Sequence, residues 1–355
     1  MKLLRNTYLV HSEFFDFLAS LFRLNNNEKL ISSLSDVSKL KPDSVIKDWV
    51  ESAKKSIPED IKQKMNLFFN YETFYGMCLI GELNEFMDCD GISINDALSR
   101  LESFSPLKIL EIFMGSGYST QDEEDIESLV MELVKDSKKA ADYINNKLPI
   151  PSEYKWDLFQ FFINPDSMKN EFLELLRWYY EHIYINILST AEENTKEYEK
   201  YFIKQVSIYG EDYLKSLNLS GYKTGNKTMI AFSYFYEFSD LSHDGDNFNF
   251  YMLGLKYTEA ISMYTHSASS NAQMFKALSD ETRLNILKLL SKRKWYGKEL
   301  ALKLKLSNST VSYHLSMLLI NGFIKEENSD NKIYYTFDKE NTKKILCDSI
   351  DNFFD

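Results

Sequence analysis

A chain of 355 residues, 44% hydrophobic and 26% charged, is long enough for two or more domains with a sizeable core. The formal net charge of −12 excludes a protein coated all over for nucleic acid. The charge is uneven, however: residues 1–270 carry 27 Lys and Arg against 42 Asp and Glu, while residues 271–355 carry 14 against 11 and the stretch 276–305 carries 9 against 3. A basic tail behind an acidic body fits nucleic-acid reading by the tail alone, with a solvated charged face as the simpler alternative. The three cysteines, Cys78, Cys89 and Cys347, form no CxxC pair, so neither a disulfide framework nor a zinc ribbon is expected and a reducing compartment fits. Only a brief apolar run precedes His11, and no later stretch reaches the ~18 apolar residues of a membrane span, so the expectation is a soluble, cytoplasmic protein that does not meet a membrane.

In chain order, residues 3–10 read as a strand. Residues 13–24 place Phe14, Phe17, Leu18, Leu21 and Phe22 at helical spacing and stop in Asn25-Asn26-Asn27. Helical periodicity recurs over 43–56, 58–69, 73–87, 93–104 and 106–114, with Pro58 and Pro106 near two starts, where a missing N–H is harmless. Gly115-Ser116-Gly117 ends the last of these; it lacks the Lys-Ser/Thr pair and preceding strand of a phosphate loop. Asp88-Cys89-Asp90-Gly91 lacks the acidic ligands that a calcium loop needs at its fifth and twelfth places, which hold Ile92 and Ser99. It reads as a turn before a helix capped by Ser93. Residues 122–146 read as one long acidic helix, 148–151 as a break, and 152–163 and 166–190 as two further helices, with helix resuming to about 216. His182, inside an aromatic run, reads as a packing residue. After Gly221 the pattern changes: 228–238 and 248–257 are rich in aromatic and β-branched residues, with turn chemistry at 243–247 between them, which reads as a hairpin joined by the N-terminal strand. His243, Asp244 and Asp246 could be drawn as a metal site, but solvent-facing turn polarity accounts for them. Residues 257–269 read as helix, and the small polar run 267–271 marks a boundary. The expected division is therefore a helical regulatory or oligomerisation domain with a small sheet over 1–265 and a second domain over 266–355.

That second domain contains the stretch whose residue order implies a mechanism. Residues 296–304 read as a short helix, 305–307 as a turn and 308–321 as a second helix, N-capped by Ser307 and ended by Gly322. Val311, Leu315 and Leu318 fall at i, i+4 and i+7 and face a core, leaving Asn308, Ser309, Thr310, Ser312, Tyr313 and Ser316 on or near the outward side. Residues 324–337 read as a two-stranded ribbon turning at 328–331, with Ile333, Tyr335 and Phe337 inward. Helix, turn, helix and ribbon make a winged helix-turn-helix, whose second helix enters the major groove. The fold class expected is thus mainly α with small β elements: a helical N-terminal domain with a minor sheet plus a C-terminal winged helix-turn-helix. The last helix, 341–354, aligns Ile345, Leu346, Ile350, Phe353 and Phe354 on one stripe that needs a partner.

Four blocks carry a resemblance: 274–290 (Met-Phe-Lys-Ala-Leu-Ser-Asp-Glu-Thr-Arg-Leu-Asn-Ile-Leu-Lys-Leu-Leu), Glu299-Leu-Ala301, Leu306-Ser-Asn-Ser-Thr-Val-Ser-Tyr-His-Leu315 and Lys332-Ile-Tyr-Tyr335. In this order and separation they resemble the ArsR/SmtB family of bacterial transcriptional regulators, over roughly the last quarter of the chain. The resemblance implies a homodimer, here read as a repressor, that binds double-stranded DNA at a palindromic operator, with flanking helices forming the dimer interface. The DNA-binding residues expected are Ser307, Asn308, Ser309, Thr310, Ser312, Tyr313, His314 and Ser316 of the second helix with Lys325, Asn331 and Lys332 of the wing. His314 has packing at the core edge as an equal alternative, and Arg283 reads as a structural ion pair with Asp280.

Family members that sense soft metals use Glu-Leu-Cys-x-Cys where this chain has Glu299-Leu300-Ala301-Leu302-Lys303, and no His follows His314 to supply the other common site, so no metal response is expected. Five scattered histidines, no nucleophile with a base and no phosphate loop leave an enzyme without support. The expectation is a non-enzyme without cofactor, with an unknown small-molecule effector as a further partner. The alternative is an enzyme, or a small-molecule or protein-binding module, in residues 1–265 with the winged helix as a regulatory tail.

Overall fold

Phe14, Phe15, Phe17, Leu18, Leu21 and Phe22 are all buried to within 2% of complete, so the first half of helix α1 (Glu13–Leu34) is enclosed on every side, as a helical stretch apolar all round must be, while Glu28 and Lys29 beyond it are exposed. The computed structural model describes residues 1–34, 40–80, 93–114, 126–148, 152–219, 222, 227–244, 248–266, 277–329 and 332–351. They form two units, one of Met1–Leu148 with Ser152–Ala260 and one from Ile261 to Asp355. The fold is mainly α with two small sheets. No helix among the described residues is long and apolar enough to cross a membrane.

In the first unit, strand β1 (Thr7–Leu9) precedes α1, followed by α2 (Ser44–Ser56), α3 (Glu59–Phe68), α4 (Ile94–Ser103), α5 (Pro106–Met114), α6 (Ile126–Lys135), α7 (Ser137–Asn146), α8 (Ser152–Ile163), α9 (Pro165–His182), α10 (Leu188–Tyr209) and α11 (Glu211–Ser216). Side chains of Phe68, Phe113, Phe161 and Phe172 join α3, α5, α8 and α9, with ring centroids 4.9 to 5.9 Å apart. Such pairs add to the apolar burial when edge-on or offset.

Four helix boundaries differ from the sequence reading. The asparagines at 25–27 do interrupt α1, since Asn26 leaves the helical region (φ −117°, ψ 19°), but a further helical stretch absent from the sequence reading runs on to Leu34; the amides of Asn25 and Asn26 donate to Phe69 O at 3.0 and 2.7 Å and hold the bend. The long acidic helix is two, since Asp136 leaves the helical region (φ −135°, ψ 96°) and accepts from the amides of Lys138 and Lys139 as the N-cap of α7. Helix 166–190 breaks after His182 into a 3₁₀ turn, Tyr184–Asn186, which sets the Tyr184 ring edge-on to Phe17 at 5.2 Å. Over 73–80 the predicted helix begins instead as a 3₁₀ turn, Tyr75–Cys78, entered through Phe74 at φ 62°, and is α-helical at Leu79 and Ile80. The remainder of that predicted helix, like the turn at 88–91 and the loop at 115–117, lies outside the described residues.

The expected hairpin is corrected more deeply. Strands β2 (Lys227–Ser233), β3 (Asp240–Asp244) and β4 (Phe248–Gly254) join β1 in the order β1-β2-β4-β3, with β1, β2 and β4 parallel and only β3 antiparallel. From Thr228 to Ser233 and throughout β4 every residue is buried. That lack of alternation belongs to parallel strands covered on both faces, where a half-exposed hairpin would alternate. His243 and Asp244 fall in β3; their side chains and residues 245–247 lie outside the described residues. Beyond β2 the chain turns through Glu237 at φ 41°, and a Cβ on Gly254 would stand 2.1 Å from Glu237 O, so only glycine lets the end of β4 lie against that loop. Glu237 is 2% exposed and meets Arg23 of α1, 3% exposed, at 2.6 Å. Nearby, Asp16 accepts from the Ser233 hydroxyl at 2.5 Å, and burial raises its carboxyl to about 6.

Helix α12 (Tyr257–His266) follows β4. The second unit then runs α13 (Glu281–Leu290), β5 (Trp295–Tyr296), α14 (Gly297–Leu304), α15 (Asn308–Ile320), β6 (Ile324–Ser329), β7 (Lys332–Phe337) and α16 (Lys339–Asp351), with sheet order β5-β7-β6. Strand β5, unforeseen in the sequence, adds a third antiparallel strand through Trp295 opposite Tyr335.

Candidate nucleic-acid interface

Helix α15 is set by one stripe. Val311, Leu315 and Leu318 are 0%, 1% and 0% exposed and pack with Ile286, Leu300 and Phe323. At about 1.5–3 kcal/mol per buried aliphatic side chain, this stripe is the main reason the helix keeps its rotation. The approach to α15 is equally determined. Lys305 takes the left-handed conformation (φ 57°) at the end of α14, and Ser307 caps α15 by accepting from the Thr310 amide at 3.0 Å. Beyond the helix Gly322 has φ 71°, with the Asn341 amide donating to its carbonyl at 2.9 Å.

With the stripe inward, Ser312 and Ser316 are exposed, and Asn308, Thr310 and Tyr313 are half-buried. Three of the sequence-expected site residues are committed elsewhere. Ser307 is 3% exposed, its hydroxyl occupied by the cap and by the Thr310 hydroxyl at 2.7 Å. His314 is 8% exposed and turns inward, with Nδ1 3.6 Å from Asp280 Oδ1 and the Tyr313 ring edge-on at 5.4 Å. Lys325 is exposed, but its ammonium lies 2.7 Å from the Asp338 carboxylate, a hydrogen bond that holds that carboxyl below the usual range. Asn331 and the side chains of Ser309 and Lys332 lie outside the described residues. Arg283 is buried in a structural role: its Nε donates to Ala277 O at 2.6 Å, and Asp280 accepts from the Arg283 amide as the N-cap of α13.

The basic patch read from composition divides in the same way. Arg293 stacks over Trp295 at 3.6 Å and meets Glu299 at 3.3 Å, and Lys294 meets Glu327 at 3.7 Å. Lys303 and Lys305, beside the start of α15, are exposed and have no ion-pair partner among the described residues. Both were inside the basic stretch 276–305 but were not singled out as site residues. Their place at the end of α14, immediately before the turn into α15, is the sequence signal that could have found them.

His314 ties the unit to pH. Burial lowers its pKa below the ordinary 6.5, against the opposing pull of the Asp280 carboxylate and with a further lowering from Arg283. A folded-state value below the unfolded one means stability that is present above the unfolded pKa and lost as pH falls through the folded one. The melting temperature of the winged unit is therefore expected to fall between pH 7.5 and 5.5, and His314→Gln to remove most of that dependence. Equal pH slopes for wild type and variant in a calorimetric series would contradict this.

Residues 280–326 match the family described as Bacterial regulatory protein, arsR family. The Cadmium resistance transcriptional regulatory protein CadC homolog of Staphylococcus aureus is 34% identical over 76 residues, 21% of this chain and 63% of that protein, so the chain spans somewhat under two thirds of that relative. Among solved structures, reduced HlyU from Vibrio cholerae N16961 is 29% identical, covering 24% of this chain and 92% of that one at a TM-score of 0.20. The transcriptional regulator HlyU from Vibrio vulnificus CMCP6 is 33% identical, covering 25% and 94% at a TM-score of 0.20. On the family match and the blocks it contains, the C-terminal quarter of this chain is a winged helix-turn-helix of the ArsR family.

Proposed function

We propose that the chain is a sequence-specific transcriptional regulator, a homodimeric repressor that acts in the cytoplasm on a palindromic duplex operator. The observation that carries this reading is the division of α15 into a buried aliphatic stripe and an uncharged polar face, with Lys303 and Lys305 exposed beside its start. Short hydroxyl and amide groups donate and accept at base edges, whereas lysines neutralise phosphate without reading sequence. Asn308, Thr310, Ser312, Tyr313 and Ser316 are assigned to the bases and Lys303 and Lys305 to phosphate, with Ser309, Asn331 and Lys332 as further contacts. Residues 1–265 act as a dimer-stabilising or effector-sensing module and catalyse nothing. Their 27 basic residues against 42 acidic, counted to residue 270, disfavour binding to phosphate.

The two sets of contacts fail differently. Tyr313→Ala and Ser316→Ala are expected to cost about 1–3 kcal/mol on operator DNA and much less on random duplex. Lys303→Gln and Lys305→Asn, the latter compatible with a left-handed backbone, are expected to weaken both DNAs alike and flatten the slope of log K on log salt by about one unit per subunit. Affinities for both DNAs across a salt series decide this. Equal loss on both for the helix variants would mean that α15 does not read the bases.

Regulation is independent of soft metals in this reading, although the Staphylococcus aureus relative is named for cadmium resistance. Where thiolates would stand, Ala301 is buried at 1% exposure and Lys303 is a cation, and neither binds a soft metal. Cadmium, zinc or arsenite at micromolar levels is expected to leave the DNA complex intact in a gel-shift titration; release of the DNA would contradict it.

A further inference from the structure

We propose that the first unit binds an organic ammonium monocation at the carboxyl ends of β2 and β4. A cavity of about 380 Å³ opens there, walled by Tyr234 just after β2, by Leu255 and Lys256 just after β4, and by Tyr198 and Tyr201 of α10. Its size falls within the range of small-molecule sites. Its place follows the rule that open sheets with parallel strands bind ligands beyond the strands' carboxyl ends.

The lining decides the ligand class. Tyr198 and Tyr201 stand with ring centroids 5.7 Å apart at 48°, forming an angled corner rather than a closed stack. Tyr234 closes another side, its hydroxyl donating to Asp43 Oδ1 at 3.4 Å; burial, then the Asp43 carboxylate, raises this phenol above its ordinary value and keeps it neutral. Aromatic walls attract a cation through their quadrupole, and the attraction grows as water is excluded.

Of the three carboxylates at the cavity, Glu237 is already committed. It meets Arg23 at 2.6 Å and accepts from the Asp43 amide at 2.7 Å. Asp43 caps α2 with Oδ1 and leaves Oδ2 3.9 Å from the Lys256 ammonium. Glu197 is exposed and has no charged or hydrogen-bonding partner among the described residues. With Arg23 balancing Glu237, Asp43 and Glu197 face the single charge of Lys256, which leaves one negative charge to be neutralised. The Lys256 ammonium also lies 5.5 Å above the Phe238 ring and 3.7 Å from Glu237, so this wall already holds one ammonium between carboxylates and an aromatic face. An anion would meet this field with the wrong sign, and a neutral molecule would gain nothing from it. The wall is also fixed in place before any ligand arrives, because the Glu237 turn is held by Arg23 and by close approach to Gly254.

The site lies wholly within the first unit and is tested without DNA, so its outcome stands apart from the reading of the winged unit. Isothermal titration of the full-length chain with choline, with 3,3-dimethyl-1-butanol, which replaces the nitrogen by carbon at nearly constant shape, and with butyrate measures the preference directly. Choline is expected to bind at least about tenfold more tightly than its carbon isostere and butyrate not to bind. Glu197→Gln and Tyr201→Ala alter exposed side chains of α10 and are expected to keep the helical circular dichroism while weakening choline about 3- to 30-fold. Equal affinity for choline and the isostere, unchanged affinity in both variants, or no heat with choline up to about 10 mM overturns the proposal.

Discussion

A unit of fewer than a hundred residues has room for one core, and in the C-terminal unit that core is organised by the stripe Val311, Leu315 and Leu318. Burying these three residues leaves α15 a single rotation about its axis, and that rotation places Ser312 and Ser316 in solvent. The Ser307 cap and the left-handed Lys305 set where the helix begins, and Gly322 sets where the chain turns into the wing. Ile345 and Leu346 of α16 pack on the same core, so two of the five residues of the last helix's apolar stripe find their partner within their own unit. The polar face of α15 is thus a consequence of packing, and chemistry suited to base edges is mounted on a helix that cannot turn it away.

The first unit relies on a different constraint. Its sheet is small, and β2 and β4 are enclosed on both faces, so its polar groups must be answered internally. Arg23 and Glu237 do this across α1 and the loop after β2, at a place where desolvation makes an unpaired charge costly. The same loop carries the wall of the cavity between β2, β4 and α10. One buried ion pair therefore serves both the fold and the cavity: it neutralises Glu237 and leaves the charge balance of the mouth to Asp43, Glu197 and Lys256.

Much of the second unit could be read from residue order, because its signals are local. A cap at Ser307, a period of three to four over 311–318 and alternation over 333–337 each specify an element within a few residues. What the local pattern could not supply was commitment of side chains. His314 and Lys325 are ordinary candidates for DNA until Asp280 and Asp338, distant in sequence, are seen to face them. In the first unit the misread elements are those decided by tertiary contact. Asn25 and Asn26 do mark a break, but Phe69 accepts their amides and a second helical stretch resumes beyond the kink. Asp136 sits inside an unbroken helical period and still interrupts it, because two free amides gain a carboxylate cap. Two β-rich runs separated by turn residues resemble a hairpin, and only the absence of alternation hinted that both were interior parallel strands with β3 beyond them.

Whether the outward face of α15 reads a particular duplex sequence is decided by selecting the duplexes that the full-length chain retains from a random pool. The pool is expected to become enriched in an inverted repeat whose half-sites lie about one helical turn apart, as two copies of one reading helix require. Retention of duplexes with no shared sequence, at an affinity set by salt alone, would contradict sequence reading by this helix.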